Sequence, residues 1–454
     1  MLPKNQINQR MHKFLNSIYT KGSGLVLILF LSLQTSSGQD SLSLKRLLAI
    51  GLEKNYSILI ARNDEEILSN NLNFAKYAFF PSLSATGRQS KLTADSKQVP
   101  FSGAVRQVDN AETKTVNGNL VLDWRIFDGF GMFVEYNRVK ELTELGKLNT
   151  RMDVENLSAQ IASQYFNLIR QAQLLQAMRY GMKLSSERLA IASEKYKLGS
   201  FSRLEFLQAQ GDFNADSSQY LRQEETLTTS KLELSRILAY SLNIPANWSD
   251  SIIIEKNLIF EGLLKNTLEK NTSLLIAGQN QWLSDQDIKA IRSRYYPSIT
   301  LNAGYQYSDT KAEIGFAKTS HSTGFTYGAT VNWTLFNRFD NRRQMKNARI
   351  VQENRDLEYE NLKLEITSEL NQVWNNYTNN LRVLSLETQN LETSRENLDI
   401  ALARYRLGAL AGIEMREIQK NFLDASNRFI NAQYLAKLAE ITLKQISGSI
   451  EEYF

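Results

Sequence analysis

The chain has 454 residues, with five prolines, two histidines and no cysteine. The missing cysteine excludes disulfides, thiolate metal sites and cysteine nucleophiles, and we expect no lipid anchor on a cysteine. Four of the 53 lysines and arginines, and none of the 48 acidic residues, fall within residues 1–38, so the rest of the chain is close to neutral and shows no basic tract for nucleic acid.

The first predicted element is a secretory signal peptide. Four basic residues precede an apolar run, GLVLILFLSL at residues 24–33, and small and polar residues follow it. This layout is typical of a signal peptide, with cleavage expected after Gly38. The apolar run is too short to cross a bilayer as a helix. A signal anchor is the alternative.

An internal repeat follows. Residues 47–61 read LLAIGLEKNYSILIA and residues 263–277 read LLKNTLEKNTSLLIA, with ten of the fifteen positions identical. A Pro-Ser pair, a tryptophan and a Gly-centred turn recur in the same order: Pro81 and Pro297, Trp124 and Trp333, Gly199 and Gly408. Self-similarity over this length predicts two copies of one structural unit.

Each copy is predicted to contain a pair of strands. Apolar and aromatic residues alternate with polar ones after Pro297 and up to Trp333, and the first copy repeats the pattern around Trp124 and, more weakly, after Pro81. Alternation with one aromatic-bearing face fits half-exposed strands. In a secreted chain the pattern suits a membrane barrel with its apolar face in lipid. A soluble antiparallel sheet is the alternative that alternation alone leaves open.

Long helices are predicted to come next in each copy. Residues 366–405 and 154–175 carry apolar side chains at steps of three and four, which indicates helices with a coiled-coil-like seam. The tryptophan and the turn glycine are 75 residues apart in both copies, enough for roughly 100 Å of helix. We expect Gly199 and Gly408 to end these helices in left-handed caps. The segments 203–240 and 411–447 would then return as the second arms of two equal hairpins.

The predicted organisation has five parts: a signal peptide at 1–38, a first structural repeat at 39–244, a linker at 245–258, a second structural repeat at 259–447 and a C-terminal tail at 448–454. In the first repeat the strands are expected at about 81–94 and 115–128, and in the second at about 297–310 and 322–337. The segment 241–258 is expected to lie around the helical part of the assembly or to dock onto a neighbouring copy. Terminal Phe454 is assigned no role.

Two copies supply four strands, which are too few to close a barrel around water. Open sheet edges are not tolerated in lipid, so several chains must share one barrel. Eight strands leave an interior filled by side chains, whereas twelve leave a water path. A symmetric trimer with a 12-stranded barrel is therefore the smallest assembly with a pore.

This duplicated order of elements resembles the TolC-like outer membrane efflux protein family. The similarity rests on N-x-S-x-L-I-A, P-S-[LI], the strand pair, the long helix and the [YF]-x-[LV]-G turn, each given twice over about residues 41–447. It implies a mainly α-helical trimeric tunnel, with a β-barrel in the outer membrane of a Gram-negative bacterium and a 12-helix barrel in the periplasm. It also implies an exit duct, for efflux or type I secretion, which joins an inner-membrane pump through a periplasmic adaptor protein.

The resemblance further implies a periplasmic gate at the second turn. The gate tyrosine of the family falls on Tyr405, and its two gate aspartates fall on Glu414 and Glu417. A spacing of three places both acids on one helix face, so a trimer would present two rings of three carboxylates that favour cations. The alternative is that both are ordinary solvated surface carboxylates.

The first copy and the latch position depart from the family pattern. Glu205 matches the first gate acid, but Gln208 replaces the second. The family also has a latch arginine, the cation that holds the closed state, and its position falls on Leu410. Either Arg406 or Arg416 supplies the cation instead, or the closed state is held in another way.

The family's adaptor-docking positions fall on the two turns: Leu198, Gly199, Ser200, Leu407, Gly408 and Ala409. Exposed small and apolar residues at a turn suit contact with another helical hairpin. Turns that only meet a backbone requirement would explain the glycines equally well.

We expect no enzyme, no cofactor and no metal site. His12 lies in the leader and His321 in a predicted surface loop, and no cluster of ligands has metal spacing. No nucleophile elbow or phosphate-binding loop is present in the mature part. A secreted trimeric coiled-coil scaffold or adhesin without conductance is the alternative function, but it leaves the duplicated aromatic strand pairs unexplained.

Overall fold

The computed structural model describes residues 43–241 and 250–453. The expected signal peptide, residues 242–249 of the segment between the repeats, and Phe454 lie outside the described residues. In the part of the chain that the structure describes, no helix combines the length and the apolar character needed to cross a membrane.

The secondary-structure elements run twice in the same order. The first half contains α1 (Leu44–Lys54), α2 (Tyr56–Ala75), β1 (Ser82–Gln98), β2 (Arg106–Asp128), α3 (Gly131–Lys197) and α4 (Arg203–Ile237). The second half contains α5 (Phe260–Lys270), α6 (Thr272–Ser293), β3 (Ser298–Ala312), β4 (Thr319–Asn332), α7 (Asp340–Arg406) and α8 (Gly412–Ile446). Short 3-10 turns follow α2 and α8, at Lys76–Phe79 and Ile450–Tyr453. The predicted fold class, a mainly helical chain with four strands in two structural repeats, is confirmed.

The repeated Asn-x-Ser motif has the same structural task in both halves. Asn55 and Asn271 are the N-caps of α2 and α6, where the side-chain oxygen accepts a backbone N–H of the first turn. The side-chain nitrogen of each donates to the far end of a return helix, at 2.7 Å to Ile237 O and 2.9 Å to Ile446 O. One residue therefore starts a short helix and fixes the end of a long hairpin.

The four strands form one antiparallel sheet in the order β1-β2-β3-β4. The first hairpin extends further towards its loop than expected, since β1 continues to Gln98 and β2 begins at Arg106. Strand β4 is shorter than the expected 322–337 and ends at Asn332, so Trp333 lies just beyond it. The reason is that β3, its one neighbour, begins at Ser298 opposite Asn332, directly after Pro297, which has no N–H to donate.

The sheet has one apolar and one polar face. Directly paired residues share a face and successive residues alternate, so the register places these residues on the apolar face: Leu83, Leu120, Leu122, Leu301, Tyr305, Phe325 and Tyr327. The polar face carries side chains that hydrogen-bond across the strands, including Asn302 to Asp123 at 2.5 Å and Ser308 to Asn117 at 2.8 Å. Phe325 and Tyr327 are 81% and 90% exposed, so the apolar face has no cover within the described chain.

The helices form two hairpins of equal size. The outgoing helices α3 and α7 each have 67 residues, and the return helices α4 and α8 each have 35. At 1.5 Å per residue, 67 residues span about 100 Å. Helix α3 packs against α4 and α7 packs against α8, while α3 also contacts α8. The two hairpins therefore lie side by side.

The described part of the segment between the repeats packs against its own chain. Gln433 of α8 donates to Ile252 O at 3.1 Å, and Glu255 N donates to Glu440 at 3.0 Å. Lys444 forms an ion pair with Glu255 at 2.9 Å. Residues 250–258 are thus held against α8 of the same chain.

Candidate functional site

The two hairpin turns have the same backbone geometry. Gly199 and Gly408 have φ values of 76° and 79°, in the left-handed region that favours glycine. At each turn two backbone bonds close the helix, Gly199 N to Tyr196 O and Ser200 N to Lys195 O in the first, and the same pair in the second. This is the Schellman motif, which satisfies the last carbonyl groups of a helix.

The residues that flank the turn glycines point into solvent. Leu198 is 80% exposed and Leu407 is 85% exposed, and Ser200 and Ala409 are also exposed. Each turn thus presents a bare leucine beside a glycine and a small residue. The six predicted docking positions lie together at the two hairpin ends.

A lysine lies between the two turns. Lys195 Nζ lies 4.8 Å from the centre of the Phe201 ring and 5.6 Å from the centre of the Tyr405 ring. A Cβ added at Gly408 would be 3.4 Å from the same Nζ. One cation therefore contacts an aromatic ring of each hairpin and brings the two turns side by side.

The first turns of the return helices differ between the repeats. In α4, Ser202 and Glu205 form a reciprocal capping box, with Ser202 N donating to the Glu205 carboxylate at 2.7 Å. In α8 the matching N-cap is Ala411, which has no side-chain hydrogen bond. The exchange of serine for alanine leaves Glu414 without the partner that holds Glu205.

The three predicted gate residues do not form one surface within the chain. Tyr405 is 1% exposed and packs in an apolar cluster with Leu398 and Met415, and burial raises the pKa of its hydroxyl although the Arg188 guanidinium opposes this. Glu414 and Glu417 are exposed, and within residues 43–241 and 250–453 neither side chain has a hydrogen bond or ion pair. Both acids lie in the first turns of α8, where negative charge is favoured by the helix dipole.

A polar cluster that the sequence did not indicate lies behind the gate position. It contains six residues from three helices: Ser185, Arg188, Asp212, Asp216, Arg416 and Gln419. We call it the buried polar cluster. Because its members are spread over 235 positions of the chain, no local spacing could have revealed it.

Arg416 is the centre of this buried polar cluster. Its two terminal nitrogens donate to the two carboxylate oxygens of Asp216 at 2.7 and 2.8 Å, and its Nε lies 3.4 Å from Asp212. Asp216 is 5% exposed, and its hydrogen bonds raise the pKa of Arg416 against the opposing effect of burial. Such bidentate pairs fix geometry as well as charge.

Arg188 and Gln419 complete the connection between the hairpins. Arg188 donates to Asp212 at 3.1 Å, to Gln419 at 3.2 Å and to the backbone oxygen of Gly412 at 3.2 Å. Gln419 in turn donates to Gly181 O at 3.0 Å. The beginning of α8, which carries Glu414 and Glu417, is therefore tied to α3 and α4 of the first repeat.

Comparison with known proteins identifies the family. A sequence profile described as "Outer membrane efflux protein" matches residues 47–239 and 263–449. The chain belongs to the outer membrane efflux protein family. The two matched ranges correspond to its two structural repeats, and the family is not an enzyme class.

Relatives and solved structures of this family agree with that assignment. The probable outer membrane lipoprotein SilC of Salmonella typhimurium is 22% identical over 412 residues, covering 88% of this chain and 84% of that protein. Outer membrane protein TolC of Vibrio cholerae is 20% identical over 304 residues, covering 66% and 69%. The CmeC outer membrane channel of Campylobacter jejuni superposes with a TM-score of 0.74 at 14% identity, covering 89% of this chain and 85% of that one.

These likenesses establish a TolC-like fold, and membership of the family establishes a place in the outer membrane. The predicted family, fold class and outer membrane location are confirmed. SilC is named a lipoprotein, and the absence of a lipid anchor from this efflux family member stays a prediction.

The latch position of this efflux family member is apolar. Leu410 packs against the cluster around Tyr405 and Met415. Both arginines considered as replacements are engaged within the chain, since Arg406 donates to Glu187 at 2.6 Å and Arg416 pairs with Asp216. The Arg406 pair is largely exposed, at 55% and 32% for the two side chains, whereas the Arg416 pair is mostly buried.

The described residues do not suggest a metal centre. Across residues 43–241 and 250–453, no group of three or more histidine, cysteine, aspartate or glutamate side chains is placed to hold an ion. His321 lies on β4, 4.0 Å from Asp309 and edge-on to the ring of Tyr307.

Proposed function

We propose that three copies of this chain form a passive exit duct through the outer membrane, which receives substrates from an inner-membrane pump through a periplasmic adaptor protein. The observation that carries the proposal is a four-stranded sheet with an uncovered apolar face and two open edges. Strands β1 and β4 each have one neighbour. The chain alone cannot satisfy these edges in lipid.

Joining β4 of one copy to β1 of the next closes the sheet. Three copies supply 12 strands, enough for a barrel with a water-filled interior. The polar face would line this interior with Asp123, Asn302 and their hydrogen-bonded neighbours. The apolar face, with Phe325 and Tyr327, would meet lipid.

The helical hairpins would continue the duct into the periplasm. Four long helices from each of three copies would make a ring of twelve, and the equal helix lengths of the two repeats favour turns at one level. The exposed turns, with Leu198 and Leu407 beside their glycines, would then form the rim that meets the adaptor. An exposed leucine beside a small residue is suited to packing against another helical hairpin.

The beginning of α8 is the proposed gate. Around a threefold axis, Glu414 and Glu417 would give two stacked rings of three carboxylates, which attract cations. The buried polar cluster would hold these helices in the closed state, with the Arg416–Asp216 pair in place of a latch arginine at Leu410.

Recording from planar bilayers tests conduction. Purified protein is expected to migrate as a heat-modifiable oligomer and to give discrete, cation-preferring conductance steps. A protein that extracts with salt alone and gives no steps would instead be the coiled-coil scaffold.

Cross-linking tests the docking role of the turns. Because the chain has no cysteine, an introduced cysteine is the single reactive thiol. Leu198→Cys and Leu407→Cys are each expected to cross-link in cells to a periplasmic adaptor protein, identified by mass spectrometry. Leu221→Cys is the control, because Leu221 is 61% exposed but lies in the middle of α4. Equal adaptor capture at all three positions would contradict docking through the turns.

A further inference from the structure

Three lysines lie side by side on neighbouring strands, on the apolar face of the sheet. Lys91 of β1 is directly opposite Lys114 of β2, and Lys114 is directly opposite Lys311 of β3. All three are exposed. We call them the lysine row.

The polar face carries no charge at the same level. The residues next to the lysine row along the strands are Ser90, Thr115 and Thr310, and the two threonines are 3.4 Å apart, hydroxyl to hydroxyl. The positive charge is therefore confined to the face that the proposed barrel turns towards lipid.

The height of the lysine row matches a lipid headgroup. Apolar-face residues on β3 run from Ile299 to Tyr307, about 27 Å along the strand at 3.4 Å per residue, or roughly 20 Å of membrane depth for a strand tilted by about 40°. Lys311 is four residues further, roughly 10 Å higher. The headgroup layer lies at this depth, just outside the hydrocarbon, and it is on the cell-surface side because the loops between paired strands lie opposite the helices.

The charges within the lysine row are unevenly compensated. The Glu112 carboxylate contacts Lys91 through one oxygen and Lys114 through the other, the latter at 3.4 Å. Lys311 has no such partner among the described residues. Like charges directly opposite in a sheet are destabilising, so the Lys114–Lys311 pair is a place where a bound anion would lower the free energy.

Two further carboxylates, Glu313 and Asp309, lie on β3 or just beyond it and have other contacts. Glu313 accepts from the backbone N–H of Glu112 at 2.9 Å. Asp309, one level closer to the apolar band, faces His321 at 4.0 Å. Among the described residues, neither carboxylate forms an ion pair with Lys114 or Lys311.

We propose that Lys114 and Lys311, assisted by Lys91, bind the phosphate groups of an outer-leaflet lipid headgroup. The inference rests on the proposed barrel, since only that assembly turns this face to lipid. Lysine suits the task because its flexible stem lies along apolar surface while its ammonium reaches the headgroup. The lysine row would then fix the height of the barrel in the membrane.

The test compares two double variants that lose the same charge. Lys114→Gln/Lys311→Gln removes the site, and Lys97→Gln/Lys318→Gln removes two exposed lysines of the same two hairpins outside the lysine row. Binding of purified lipopolysaccharide to the detergent-solubilised trimer is measured by native mass spectrometry. We expect the first variant to bind roughly thirtyfold more weakly, since each of its two lysines near an anionic lipid surface contributes about one kcal/mol. The control should stay within about twofold of wild type.

Two further measurements identify the chemical group of the lipid that is bound. Dephosphorylated lipopolysaccharide is expected to bind the wild type as weakly as the intact lipid binds the first variant. Inorganic phosphate at millimolar concentration is expected to leave lipid binding unchanged. The inference is overturned if the two double variants bind equally, if removal of the phosphates has no effect, or if inorganic phosphate alone displaces the lipid.

Conductance of the same preparations separates this inference from the proposed function. If the wild type conducts but shows no lysine-dependent lipid binding, only the proposed lipid site is contradicted. If the wild type forms no channel, the proposed duct is contradicted, and so is the barrel that the lipid site requires.

Discussion

Glu414 and Glu417 are two carboxylates without partners in the described chain, whereas Glu205 at the matching position of the first repeat is held by Ser202. If the two acids line the proposed axis, they set its preference for cations. In single-channel recordings, Glu414→Gln/Glu417→Gln is expected to move the cation-to-anion permeability ratio towards one.

Glu205→Gln is the matched control for these two acids. Its carboxylate belongs to a capping box that glutamine can also form, so the substitution should cost less than about 1 kcal/mol of stability and leave selectivity unchanged. Equal permeability ratios for wild type and the double variant would contradict the acidic rings.

Asp216 is the residue on which the buried polar cluster depends most. Asp216→Asn leaves the Arg416 guanidinium without its main counter-charge, which we expect to cost about 2 kcal/mol, less than for a fully buried pair because Arg416 is partly exposed. The beginning of α8 should loosen, and the conductance of the channel should rise. Thermal unfolding and single-channel recording of the same protein measure the two effects.

Glu187→Gln is the comparison for Asp216→Asn, since it releases the largely exposed Arg406 and should cost no more than about 1 kcal/mol. A similar loss of stability and a similar conductance for both variants would show that the buried polar cluster has no special part in closure.

At the scale of elements, the two return helices differ in their N-cap residue, which is Ser202 in α4 and Ala411 in α8. Ala411→Ser would give α8 the capping box that α4 has, and should stabilise the chain by about 1 kcal/mol. The same box would draw the Glu414 carboxylate back to the helix terminus, as in Glu205. We therefore expect higher stability combined with lower cation preference, measured by thermal unfolding and by single-channel recording; a variant with unchanged cation preference would show that Glu414 does not act from the first turn of α8.

The contact between α7 and the segment after residue 250 predicts a dependence on alkaline pH. The Tyr377 hydroxyl donates to Glu255 O, and burial raises the pKa of Tyr377 to about 12, compared with about 10 in an unfolded chain. Since the folded pKa is the higher one, this contribution to stability is complete below about pH 10 and is lost as the pH rises to about 12.

Tyr377→Phe removes the titrating group. At neutral pH the variant should be about 1 kcal/mol less stable than wild type, because the hydrogen bond is missing. When unfolding is measured from pH 8 to 12, the variant should lose less stability above about pH 10 than wild type does. Tyr56→Phe, at a position that is 73% exposed, is the control and should follow the wild-type profile. Parallel profiles for all three proteins would contradict the assignment.

At the scale of the whole molecule, the sequence predicted the features that recur. Duplicated motifs identified two structural repeats, and alternation identified four strands. Equal spacing from Trp124 to Gly199 and from Trp333 to Gly408 anticipated helices of equal length. These features are local or periodic, so one chain is enough to reveal them.

Other features required the tertiary structure. The end of β4 at Asn332 depends on where its neighbour begins, and the buried polar cluster joins Arg188, Asp216 and Arg416 only because α3, α4 and α8 pack together. The capping difference is an intermediate case. Ser202 with Glu205 is a capping-box pattern that the sequence shows openly, and its loss at Ala411 could have indicated that Glu414 is unpaired.

The proposed duct requires that separate sheets join edge to edge. Electron cryo-microscopy of the detergent-solubilised particle measures this most directly. We expect three chains around one axis, with β4 of each hydrogen-bonded to β1 of the next in a closed barrel of 12 strands above a ring of helices. A particle of one chain, or one in which the edges of β1 and β4 stay unpaired and no continuous channel runs along the axis, would contradict it.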